Sequence, residues 1–155
     1  MEIPFELPVD SDGYLRRQCP RCARPFKWFH DQEQPAEQLS ELILYYCPYC
    51  GEPSSSDQWW TDEQVDYAQG LASIEAMRLV ERELRPVADS FTESSEFLKI
   101  ELEVPRLVPP TPLFESDDMI AVEPPCHPDE PIKVVEEWGG ELHCLRCGKT
   151  FIVSE

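Results

Sequence analysis

Two cysteine pairs, Cys19-Pro20-Arg21-Cys22 and Cys47-Pro48-Tyr49-Cys50-Gly51, limit this chain more than anything else in it. Two thiolates separated by two residues can grip one metal ion from a single tight turn. Backbone N–H groups of that turn point at the sulfurs and stabilise their charge. The glycine after the second pair supplies the positive φ that closes the turn. Two such turns facing each other make a tetrahedral site from Cys19, Cys22, Cys47 and Cys50, and 24 residues separate the pairs. A third pair, Cys144-Leu145-Arg146-Cys147-Gly148, repeats the signature near the C-terminus.

Cysteine number alone would also fit a secreted disulfide scaffold. Seven is odd, however, and the pairs carry metal-ligand spacing. The start Met1-Glu2-Ile3-Pro4 has neither the basic residues nor the apolar run of a signal peptide. No stretch approaches the ~20 apolar residues of a membrane helix. These features point to a reduced, cytoplasmic protein. At 155 residues the chain is one or two small domains, a size at which metals commonly supplement a thin core.

The formal charge of -18 repels nucleic acid and anionic membranes globally. Its distribution is uneven. Tyr14 to His30 holds Arg16, Arg17, Arg21, Arg24 and Lys27 with no acid. Asp89 to Glu137 holds thirteen acids against Lys99, Arg106 and Lys133. The first pair is therefore flanked by a local basic patch that could contact nucleic acid.

Secondary structure follows from pattern. Tyr14 to Gln18 reads as a strand entering the first cysteine turn, and Phe26 to Phe29 as the strand leaving it. Asp31 to Glu41 is a polar loop or short helix, and Leu42 to Tyr46 is a strand running into the second turn. Strand, turn, strand, loop, strand, turn is the order of a zinc ribbon. Thr61-Asp62-Glu63-Gln64 is a capping box, and a helix with the stripe Val65, Ala68, Ala72, Ala76 and Leu79 should run to Arg85, where Pro86 stops it. Leu98, Ile100, Leu102 and Val104 alternate with polar residues as a half-buried strand. Residues 105–112 hold four prolines and form a stiff connector. Short strands are expected at 119–122, 132–135, 142–144 and 150–153, with Gly139-Gly140 as a hairpin turn. The expected organisation is small α+β. A four-cysteine ribbon occupies 1–56, one central helix 57–88, and a β-rich unit with a second zinc knuckle 89–155.

The second site has Cys126, Cys144 and Cys147 and needs a fourth ligand. His127, in the loop bounded by Pro125 and Pro128, is the preferred choice. His143 adjoins Cys144 on a strand and should point the other way, and Asp129 is a weaker ligand type. An open position is the remaining alternative. With Cys126, His127, Cys144 and Cys147 as ligands, all seven cysteines are used and two Zn2+ are bound per chain. No thiol remains as a nucleophile, and no Gly-rich phosphate loop, HExxH or GxSxG occurs.

The run Asp12-Gly13-Tyr14-Leu15-Arg16-Arg17-Gln18-Cys19-Pro20-Arg21-Cys22, with Phe26-Lys27-Trp28, Tyr45-Tyr46-Cys47-Pro48-Tyr49-Cys50-Gly51 and Trp59-Trp60-Thr61, resembles small bacterial zinc-ribbon proteins of rubredoxin-like type. Pro125-Cys126-His127-Pro128 and Leu142-His143-Cys144-Leu145-Arg146-Cys147-Gly148 look like the same group. The resemblance implies the fold and metal binding, but no substrate. The expected function is a non-enzymatic two-zinc protein that acts as a protein-interaction or adaptor module. The alternatives are a nucleic-acid-binding ribbon using Arg16, Arg17, Arg21, Arg24 and Lys27, and a zinc-dependent enzyme at an open second site.

Overall fold

The computed structural model describes residues 5–29 and 43–153. Its elements in chain order are β1 (Tyr14–Gln18), β2 (Pro25–Phe29), β3 (Leu44–Tyr46), β4 (Pro53–Ser55), α1 (Asp62–Ser94), β5 (Ile120–Val122), β6 (Ile132–Val134), β7 (Leu142–His143) and β8 (Thr150–Phe151). Among the described residues this is a small α+β fold with one helix and antiparallel sheets. The polar stretch at 31–41 and Leu42, the first residue of the expected strand, lie outside the described residues.

The strands form four hairpins: β1–β2, β3–β4, β5–β6 and β7–β8. Two of them merge into one four-stranded sheet in the order β1-β2-β6-β5. The joint is the antiparallel pairing of β2 with β6, where Lys27 lies opposite Lys133 and Trp28 opposite Ile132. The chain thus repeats itself in space. β5–β6 stands to β7–β8 as β1–β2 stands to β3–β4, and the sheet closes across the middle.

Alternation along these strands splits the sheet into two unlike faces. Leu15, Phe26, Ile132, Val134 and Val122 point to one side and are buried with Trp59, Tyr49, Leu142 and Leu145. Each fully buried large apolar side chain contributes roughly 1.5–3 kcal/mol. Arg16, Lys27 and Lys133 point to the other side. Lys27 is fully buried there, and Lys133 nearly so. Asp10, Asp12, Glu115 and Asp118 meet them at ion-pair distance. The flanking segments before β1 and before β5 carry these acids and so cover the polar face.

The structure divides into two compact units. One comprises Leu7–Gln64 with Leu113–Glu155, and the other is built on Val65–Pro112. This differs from the expected boundaries at 1–56, 57–88 and 89–155. A ribbon ending at residue 56 would leave the β2 edge and Lys27 without partners, so the C-terminal hairpins complete it.

The capping box forms as read. The Gln64 N–H donates to Thr61 Oγ1 at 3.1 Å, and the Thr61 N–H donates to Gln64 Oε1 at 3.1 Å. α1 does not stop at Arg85 but passes through Pro86 and ends at Ser94. Proline removes one hydrogen bond of the helical ladder. That loss is tolerable because residues 82–87 are exposed, so water can meet the freed carbonyl, while the buried Ala88 anchors the next turn. The strand expected over 98–104 is absent. Leu98 and Ile100 remain 49% and 39% exposed, and no strand lies beside them among the described residues. Alternation without a partner leaves the segment outside any strand, and the proline-rich 105–112 carries no regular element either. Pro110 approaches Gly70 so closely that a Cβ there would lie 3.0 Å from its ring, which explains a glycine inside the helix. Gly139-Gly140 is not a hairpin turn between paired strands: β6 pairs with β2 and β5, and β7 with β8.

Candidate metal centres

Three turns of one design carry six of the seven cysteines. In each, the N–H of the fifth residue donates to the first cysteine's carbonyl: Ala23 to Cys19 at 2.9 Å, Gly51 to Cys47 at 2.9 Å and Gly148 to Cys144 at 2.8 Å. In each, the first cysteine's N–H donates to the carbonyl of the sixth residue: Arg24, Glu52 and Lys149. The geometry forces a positive φ at the fifth position. Gly51 and Gly148 adopt 73° without strain, whereas Ala23 is held at 61°. The first sulfur of a turn accepts backbone N–H groups, as Cys19 Sγ does from Arg21 at 3.3 Å and Cys22 at 3.4 Å. Cys47 Sγ accepts likewise from Tyr49 and Cys50.

The first two turns face each other. Cys19 Sγ lies 3.7 Å from Cys50 Sγ, and Cys22 Sγ lies 3.7 Å from Cys47 Sγ. All four sulfurs are within 4.8 Å of one another. Tetrahedral coordination with metal–sulfur bonds of about 2.3 Å requires sulfur separations of about 3.8 Å. The two 3.7 Å separations match a tetrahedral ion, and Cys19 and Cys47 are buried.

The third turn faces the β5–β6 connection. Cys126 Sγ is 3.5 Å from Cys147 Sγ, and Cys144 Sγ is 3.4 Å from His127 Nδ1. The four ligand atoms lie within 4.8 Å of one another. Their chemistry, three thiols and an imidazole, suits a tetrahedral thiophilic ion as well. His143 stands outside this cluster. Its ring rests on Gly51, with Nδ1 3.3 Å from the Pro48 carbonyl. Asp129 is not in the cluster either.

The thiols respond to crowding as ligands do. Burial pushes Cys47 and Cys22 up, and it pushes Cys144 up to about 11. Burial acts upward on Cys19 also, but the N–H groups of Cys22 and Arg21 together with the Cys47 and Cys22 thiols outweigh it and the thiol is lowered. Cys147 is lowered to about 7, chiefly by the backbone N–H of Lys149. Neighbouring thiolates cannot all ionise unaided, and a bound dication would reverse that cost.

The five basic residues of the N-terminal patch do not stand together on the surface. Lys27 is enclosed, with Nζ 3.1 Å from Asp10 Oδ2, 3.1 Å from Glu115 Oε1 and 3.3 Å from Asp118 Oδ1. Arg16 pairs with Glu115 at 2.7 Å and Asp118 at 2.6 Å. Arg17 is buried and stacks on Trp28 and Trp60, 4.7 and 5.3 Å from the ring centroids. Its burial lowers its pKa to about 10. Arg24 lies 4.6 Å over the Trp138 ring, and Arg21 is exposed. Pattern reading missed the charged cluster around Asp10. Its signal was present in Phe26-Lys27-Trp28 and Ile132-Lys133-Val134, where a lysine sits mid-strand between apolar neighbours. Burial is the largest single influence on the Asp10 carboxyl and acts upward. Together, hydrogen bonds from Lys133, the Tyr14 N–H, Lys27 and the Asp12 N–H overcome it and hold the group near 2.

Compared with protein-family models, curated proteins and solved structures, the chain has no match in any of the three.

Proposed function

We propose that both clusters are structural zinc sites of a paired zinc ribbon, and that the protein is a non-enzymatic module that binds a protein partner. The observation that supports this best is the complete use of ligands. Seven cysteines and His127 divide into two four-membered sets of tetrahedral dimensions. A closed set serves architecture, whereas catalytic zinc keeps a position for water or substrate. The reading against nucleic acid rests on the basic patch. Four of its five members, Arg16, Arg17, Arg24 and Lys27, meet acids or aromatic rings, and of these Arg24 alone is exposed. What remains near the first turn is Arg21 and Arg24 on a chain of charge -18. Free thiol ligands imply a reducing compartment, so a cytoplasmic location belongs to the same proposal. No described helix is long and apolar enough to cross a membrane.

Elemental analysis of the purified full chain should give two zinc ions per molecule. A tagged full-length chain should capture the same protein with zinc and lose it after chelation. The nucleic-acid alternative predicts DNA or RNA binding at physiological salt that Arg21→Glu with Arg24→Glu abolishes. That outcome would replace the protein-partner reading.

A further inference from the structure

The second and third cysteine turns are joined by a reciprocal contact. The Tyr46 N–H donates to the Leu145 carbonyl at 2.9 Å, and the His143 N–H donates to the Pro48 carbonyl at 2.8 Å. Tyr46 and His143 each precede the first cysteine of their turn, and Pro48 and Leu145 each follow it. Each bond therefore runs between the residues flanking Cys47 and those flanking Cys144. The rings obey the same exchange. A Cβ on Gly51 would lie 2.7 Å from the His143 ring, and one on Gly148 would lie 2.7 Å from the Tyr46 ring. Pro48 and Leu145 are buried, so their carbonyls sit in a dry interface. A second link runs from Tyr49, inside the first centre's turn. Its hydroxyl donates to the Pro25 carbonyl at 2.8 Å and accepts the Val135 N–H at 3.0 Å.

We infer that the two metal centres are one cooperative unit, in which a metal bound at either raises the affinity of the other through the contact between the Cys47 and Cys144 turns. The inference rests on reading both clusters as metal centres. A C-x2-C turn holds its carbonyl and N–H positions most firmly while its sulfurs are fixed on a common ion. When one turn relaxes, the other loses a donor, an acceptor and the ring that covers its glycine. A buried backbone group left without its partner is costly, so the second turn is biased toward relaxing too. The turns are thus elements with two states that both metals bias, which is the physical requirement for coupling. Coupling of binding must be equal in both directions.

Cobalt(II) is the probe, because tetrahedral thiolate sites show visible bands that distinguish four sulfurs from three sulfurs and a nitrogen. Its affinity for the first centre of the full chain is measured by competition with a chelator, with the second centre intact or disabled by Cys126→Ser and Cys147→Ser. Disabling should weaken the first centre by about tenfold or more, within the usual range for coupled sites. Disabling the first centre by Cys22→Ser should weaken the second by the same factor. In Tyr46→Ala with His143→Ala, which keeps all eight ligands and both backbone bonds but removes the rings that cover Gly51 and Gly148, disabling one centre should change the other by at least threefold less than it does with the rings in place. Less than a threefold change in the unaltered interface overturns the coupling. An equally large change in both backgrounds overturns the ring contacts between the turns as its route. A full chain that takes up no tetrahedral cobalt overturns the reading of the clusters themselves, which is a separate result.

Discussion

Ala23 carries a conformation that the equivalent positions of the other two turns give to glycine, at φ 61° against 73° for Gly51 and Gly148. A side chain in this left-handed region costs about 1–2 kcal/mol, and glycine's greater freedom in the unfolded chain returns roughly half of that. Ala23→Gly should therefore stabilise the protein by about 0.5–1 kcal/mol, read as a rise in the midpoint of denaturant unfolding of the metal-loaded chain. Asp10 works in the opposite sense. Its side chain is wholly buried and holds Lys27 at 3.1 Å and Lys133 at 2.8 Å. Asp10→Asn would take the wholly buried carboxylate from two buried ammonium groups, leaving Lys27 to Glu115 and Asp118 and Lys133 to Asp12, and should cost about 1.5–3 kcal/mol. Its pH signature follows from the sign of the shift. The folded carboxyl titrates near 2 rather than at its ordinary 3.8, so its contribution is complete above pH 4 and is lost as pH falls toward 2. Acid unfolding of wild type should steepen in that window, and Asp10→Asn should flatten it.

The hairpins and the helix differ in how much of them could be read in advance. Cysteine spacing placed the first four ligands, because a C-x2-C turn leaves its thiols few arrangements. Strands β1 and β2 followed from the runs that enter and leave the first turn, and β5 and β6 from short β-rich runs remote from it. The capping box at Thr61 and Gln64 fixed the helix start, since its donors and acceptors lie three residues apart in sequence. The misses have a common cause. Leu98 to Val104 has a strand's alternation but no neighbouring strand, and Pro86 meets the solvent side of a helix that continues beyond it. Neither circumstance is visible from a window of local sequence. Lys27 reads as a candidate nucleic-acid contact because its acids, Asp10, Glu115 and Asp118, come from outside its own run. Pro86→Ala restores a helical hydrogen bond and removes a residue about 3 kcal/mol below alanine in helix propensity. It should raise the thermal midpoint of the helical circular-dichroism signal, and a lowered midpoint would mean that the proline stabilises a contact of its own.

At the scale of the whole chain, all seven cysteines belong to the unit of Leu7–Gln64 and Leu113–Glu155, and most of α1 belongs to the other unit. Chelation should consequently erase the near-ultraviolet signal of the packed Trp28, Trp59 and Trp138 while most of the helical signal near 222 nm persists. Structural zinc contributes roughly 10–16 kcal/mol in small modules, about the net stability of a whole domain. Loss of both signals together would show the units to be interdependent.

The pairing of β2 with β6 has a consequence for how the protein is made. Asp10 lies 123 positions from Lys133, and Lys27 lies 89 positions from the Ser116 carbonyl that helps to enclose it. A ribosome releases the first two cysteine turns long before it releases β6. During that interval the nascent chain can gather Cys19, Cys22, Cys47 and Cys50 around one ion, but the β2 edge stays open and Lys27 faces water. Synthesis therefore passes through a half-built sheet whose free edge is a template for wrong pairing until β6 arrives. The charged lysine at the centre of that edge protects it, because a strand that brings no carboxylate cannot bury it.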